Sequence, residues 1–197
     1  FPKEENNMAN KDAAFGFRPV GKVGQNADNG GLSEHNINAS ETVIYHNDLV
    51  KMKADHGIEV AAAGGNVLGS LNGVFYTDAS TSKPTFSNYS PGSNTADDIK
   101  GFIYDDPYQR FECQSNNTGA SENTDINNCA DMEDTAGAAP NYVSKSELDD
   151  STNAAGAATL KIMGLSRDPD NNTVGSANVN WIVSINEHEY GKGVNGI

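Results

Sequence analysis

From Glu41 onward the apolar residues of this chain come in short runs, and each run soon meets Gly, Asn, Asp or Pro. The runs cover residues 42–46, 49–53, 58–61, 67–71, 74–77, 99–104 and 110–114, then 159–165 and 178–185. Short β-type runs separated by turn signals are the spacing of a sandwich or small barrel. The residues between them support this reading, because the chain carries 25 Asn and 20 Gly, types that accept turns and left-handed backbone. Residues 178–185 show the cleanest period of two: Val179, Trp181, Val183 and Ile185 alternate with Asn178, Asn180 and Ser184, while Ile182 interrupts the polar face and suggests burial on both sides. Leu49 similarly spoils strict alternation in 49–53. With 197 residues and 20.8 kDa, one compact domain is expected. The reading is an all-β, barrel-like domain over 41–197 with long loops at 78–98 and 115–140 and a short helical turn over 143–148.

Residues 1–40 read differently. Phe15, Phe17, Pro19, Val20, Val23, Leu32 and Ile37 lie among Gly and Asn with no sustained period, so this segment is expected to be an extended N-terminal arm. From residue 8, Lys11, Arg18 and Lys22 face only Asp12 and Asp28 before Glu34, which makes that part of the arm slightly basic. Lys3, Glu4 and Glu5 can be encoded as a ribosome-binding sequence ahead of Met8, so residues 1–7 are expected to precede the natural start. Asp and Glu number 27 against 13 Lys and Arg, a net charge of −14 with a pI near 4.5. Residues 97–150 alone hold thirteen carboxylates and three cations. Such a surface repels phosphate backbones and anionic lipid, and no stretch approaches the roughly 18 apolar residues of a membrane helix. No nucleic-acid or membrane partner is expected.

Chemical motifs are near misses. Residues 164–168 lack the closing Gly of a nucleophile elbow, and no triad can be read from His35, His46, His56 and His188. Glu187, His188 and Glu189 are adjacent, which on a strand sends them to opposite faces, so His188 reads as a surface residue near a strand end. Gly64 to Ser70 resembles a phosphate loop without its Lys and reads as a hairpin turn. Asp168, Asp170 and Asn172 have the spacing of a calcium loop, yet Thr173 and Val179 stand where Gly and a bidentate Glu are needed; an Asx-rich turn is expected. No metal, cofactor or catalytic residue is assigned. Cys113 and Cys129 cannot make a zinc site unaided and are either one loop-closing disulfide or two thiols. Trp181 and the tyrosines leave open a carbohydrate-binding β-domain of a tail-fibre or extracellular protein, although the regular strand around Trp181 favours core packing.

The passage from Ala9 to Val20, containing Phe15, Gly16, Phe17, Arg18 and Pro19, resembles the opening of tailed-bacteriophage head decoration (cement) proteins. Asp48 to Lys51, Asp105 to Pro107, Phe111 to Gln114, Asp170 with Asn171, and Ile185 to His188 fit the same family in the same order. The resemblance implies a non-enzymatic virion protein with a β-barrel or β-tulip body, on the outer surface of an icosahedral capsid, commonly a homotrimer, whose partner is the major capsid protein. On that reading Phe15, Phe17 and Pro19 bury in a capsid seam while Arg18 meets capsid carboxylates; the alternative is that Phe15 and Phe17 fold back on their own domain.

Overall fold

The computed structural model describes residues 9–24, 31–116, 123–154, 156 and 158–191. Among these the strands are β1 (Arg18–Lys22), β2 (Ser33–Asn36), β3 (Leu49–Met52), β4 (Ile58–Val60), β5 (Gly69–Thr77), β6 (Pro84–Ser87), β7 (Lys100–Tyr104), β8 (Gln109–Gln114), β9 (Cys129–Glu133), β10 (Glu147–Ala154), β11 (Leu160–Leu165) and β12 (Asn180–Ile185). The one helical element described is a 3-10 turn at Asn123–Asp125. The chain is all-β, as its turn-punctuated runs require.

The strands form two antiparallel sheets. The first runs β1-β8-β12-β11-β9-β10, and the second β2-β7-β5-β3-β4 with β6 on the remaining length of β5. Each sheet curls: a parallel bridge from Ser115 to Leu148 brings β10 back to the end of β8, and one from Asn36 to Gly57 brings β2 beside the start of β4. Each sheet has its own apolar cluster. Phe111, Met132, Leu148, Leu160, Trp181 and Val183 fill the first; Ile44, Ile58, Leu68, Leu71 and Ile103 fill the second.

The irregularity at Leu49 follows from this arrangement. Leu49 belongs to the first cluster and Val50 to the second, and Val67 and Leu68 divide in the same way. Residues covered on both faces read as continuous apolar runs rather than alternating ones.

The N-terminal segment does not stand apart. Phe17 is fully buried in the first cluster. Its N–H donates to Asn47 O at 2.9 Å and its carbonyl accepts from Ser70 Oγ at 2.8 Å. β1 then pairs with β8, matching Arg18 with Glu112 and Pro19 with Phe111, while β2 pairs with β7 in the other sheet. The expected free arm over 1–40 is therefore corrected for its described residues: burial of one Phe, about 1.5–3 kcal/mol, and strand pairing offset the entropy of ordering it. Residues 1–7 lie outside the described residues.

Gly16 explains why two aromatics flank a glycine. Its φ is +71°, and a Cβ there would lie 2.6 Å from Asn47 O and from Ser144 Cβ. Only glycine accepts that backbone together with that approach. The passage at 84–87 is strand β6, and residues 129–133 within the second expected loop are β9. Residues 143–146 make no helical turn: Val143 bridges to His46, and β10 begins at Glu147. The Gly64 turn is not a hairpin, because β3 lies between β4 and β5.

Phe17→Ala should lower stability by about 3–5 kcal/mol, and Gly16→Ala by about 2–4 kcal/mol from combined strain and overlap. Urea unfolding followed by Trp181 fluorescence reads both. Removing residues 8–20 should lower the melting temperature of the whole chain.

Candidate functional site: an arginine-lined groove

The four residues expected to grip a partner are distributed by the fold rather than presented together. Phe17 is core. Phe15 is half-buried, with the Arg18 guanidinium carbon 4.8 Å from its ring centroid. Pro19 lies on β1, at the end of the sheet's strand path, where a missing N–H is tolerated. Arg18 is exposed but pairs with Glu112. Lys11 and Lys22 are also engaged by this chain: Lys11 meets Asp170 at 2.5 Å and Lys22 meets Asp106 at 2.8 Å. Asp170 accordingly raises the Lys11 amine above its ordinary pKa.

The stretch before Phe15 is sewn to its own domain as well. Asn10 Nδ2 donates to Thr173 O and Ala177 O at 3.0 and 2.8 Å, and its Oδ1 accepts from Thr173 N. Asn171 Nδ2 donates to Lys11 O at 2.7 Å and also to Asn178 O. Gln114 completes the seam, accepting from Ala13 N and donating to Lys11 O. Residues 168–178 are thus an Asx-rich loop whose side chains hold backbone, and among the described residues no His, Cys, Asp and Glu group is arranged to hold a metal.

The outer face of the first sheet carries a different constellation. The chain has three arginines, Arg18, Arg110 and Arg167, and all three line one groove of about 740 Å³. Its floor includes Ile182, Met163 and Leu165, which are half-buried. Register explains the grouping: Ile182 sits between Glu112 on β8 and Gly164 on β11, and Arg18 pairs across to Glu112. Register shifts at Pro19–Gly21 in β1 and Ile162–Gly164 in β11 flank the groove; such irregularities bend strands locally. Ile182 therefore breaks the polar alternation because it floors this groove.

Two carboxylates are present, and both have partners. Glu112 takes Arg18 and the Ser166 hydroxyl. Asp168 accepts from Asp170 N at 3.0 Å and Asn180 Nδ2 at 3.2 Å. Arg110 and Arg167 have no ion pair among the described residues, and the buried Arg110 Nε has no hydrogen-bond partner. Sequence reading found Arg18 alone; the signal for the others was the scarcity of arginine itself.

The remaining expected residues fall elsewhere. Cys113 on β8 pairs with Trp181, which pairs with Leu165, whereas Cys129 on β9 pairs with Lys161. Four residues along β11 are about 13 Å, and β8 and β9 are separated by β12 and β11. A disulfide needs Cα atoms within about 7 Å, so the two are free thiols; burial pushes the Cys113 thiol up. His188 is buried rather than a surface residue: its Nδ1 accepts from Tyr190 N at 3.0 Å, and burial lowers its pKa. Trp181 is fully buried, which removes it as a sugar-stacking surface. Ser33 Oγ and His35 Nε2 both bind Asp105, at 2.8 and 3.1 Å, so the serine meets the carboxylate instead of the imidazole that a hydrolytic relay requires. Comparison of the chain with protein-family models, curated proteins and solved structures finds no match.

Burial raises the carboxyl of Glu189 above its ordinary range, and two others are raised further. Burial raises Asp48 to about 6, and burial followed by repulsion from Asp12, Glu133 and Asp150 raises Glu147 to about 7. Each binds its proton more tightly folded than unfolded. Their stabilising contribution is complete below the unfolded carboxyl range and is lost as pH rises through about 6 and 7. These two groups should therefore favour pH 5 over pH 8, at about 2–4 °C of melting temperature per kcal/mol for a chain of this length, against a smaller opposite contribution from His188. That preference for pH 5 should shrink in an Asp48→Asn/Glu147→Gln variant. Thiol titration of the unreduced, denatured chain should count two free cysteines.

Proposed function

We propose that this chain is a structural virion protein that attaches to the outside of an icosahedral bacteriophage head and cements neighbouring major capsid subunits. One observation carries the reading: the separate fragments that resemble the decoration family meet in the fold. Asn10 and Lys11 join Asn171; Phe17 sits against Asn47, beside Asp48 and Leu49; Arg18 joins Glu112; Gln114 joins Ala13. Together they define how the described N-terminal residues lock onto the first sheet; the family reading rests on the sequence resemblance, and function follows from it by analogy.

The mechanism differs from a seam-seeking arm. The described N-terminal residues are committed at home, so attachment falls to a surface already rigid before contact. Such a surface avoids the entropy of ordering a loose segment. Trimeric assembly, which the family likeness suggests, would multiply modest contacts through effective concentration.

The test is cosedimentation with undecorated phage heads, together with the heat tolerance of the heads. Binding with increased heat tolerance supports cementing. Failure to bind any head, with selective retention on a glycan array, would replace it with the carbohydrate-binding reading. Sedimentation equilibrium should return three times the 20.8 kDa chain mass.

A further inference from the structure

We infer that the arginine groove on the first sheet is a docking site for an extended acidic peptide of a partner protein, one in which carboxylates alternate with aliphatic side chains. The inference stands on the groove itself and does not require the virion reading.

Charge concentration is the first argument. On a chain of net charge −14, every arginine lines the same groove. Arginine offers a planar fork that matches a carboxylate with two parallel hydrogen bonds. Arg18 already has such an acceptor in Glu112, while Arg110 and Arg167 have no carboxylate among the described residues. The buried Nε of Arg110 also lacks an acceptor, so its guanidinium is poorly compensated by its own chain. An incoming carboxylate supplies the missing charge.

The floor decides between kinds of anion. Ile182, Met163 and Leu165 are half-buried within it, and Val20 at its margin is 46% exposed. A phosphate or sulfate chain leaves that apolar surface uncovered, whereas an aliphatic side chain between two carboxylates covers it. Nucleic acid, a long polyanion, extends past the groove onto the acidic remainder of the molecule, which a short peptide does not reach. Geometry sets the length: crossing β1, β8, β12 and β11 at about 4.8 Å per strand takes about 15–20 Å, or about six extended residues. Pro19 on β1 disfavours strand addition at that edge, so the peptide lies on the face of the sheet.

The experiment uses the full chain on a synthetic array of randomised peptides of about six residues, with a sulfated oligosaccharide and inorganic phosphate as separate probes. Retained peptides should be enriched in Glu or Asp alternating with Leu, Ile or Val. Their affinity should fall about tenfold or more in Arg110→Gln/Arg167→Gln and should weaken with added salt. The exposed single change Arg167→Gln should give part of that loss with an unchanged melting temperature, and Lys83→Gln, on the segment leading into β6, should give none. Retention without acidic enrichment, or equal binding by the arginine variants, overturns the inference. Stronger binding of the sulfated oligosaccharide or of phosphate overturns the peptide assignment. So does self-association that sedimentation shows to depend on Arg110 and Arg167, because the occupant is then a second copy.

Discussion

The two sheets are united along a seam of buried side chains, of which Phe17 is the largest. Phe17 places its side chain in the cluster of the first sheet, while its backbone is held by Asn47 and Ser70, which lead into and begin strands of the second. Leu49 and Val67 cross the same boundary. Gly16 permits the approach that brings Phe17 there, and β1 can then align Arg18 with Glu112. Without this insertion the first sheet loses an end strand and part of the cover over its core. Each sheet alone is a small structure, and small cores bury too little surface to be comfortably stable.

Much of the architecture was legible because burial writes itself into sequence. β3, β4, β7, β8, β11 and β12 each carry apolar residues bounded by turn formers, and each is close to where the runs placed it. Three of the strands that escaped detection lack that imprint, whereas β9 carries only the short alternation of Ala130 and Met132. β2 is Ser-Glu-His-Asn, β10 is mostly acidic or small and polar, and β6 opens with a proline. Backbone pairing carries most of their attachment, with single apolar contacts from Leu148 on β10 and from Phe86 on β6 against Phe75, and no hydrophobic alternation marks them. The Phe-Gly-Phe stretch was seen but assigned outward, since an aromatic pair in an aperiodic segment has the same composition whether it meets a foreign surface or its own core.

The groove was illegible for a different reason. Arg18, Arg110 and Arg167 are far apart in sequence, and only the order β1-β8-β12-β11 gathers them. Ile182 was visible as an exception to alternation without any indication of what it faced. Long-range pairing of this kind carries no local signature, so a site built across four strands becomes apparent only with the register.

The two ends of the first sheet's strand path show how such a molecule tolerates crowding. One end presents β1, with Pro19 as its second residue; the other presents β10, with Asp149 and Asp150 side by side. A neighbouring copy that tried to extend the ladder would meet an imino ring at one margin and like charge at the other, two recognised obstacles to fibril growth. Extension of the first sheet from copy to copy is therefore disfavoured at both of its margins.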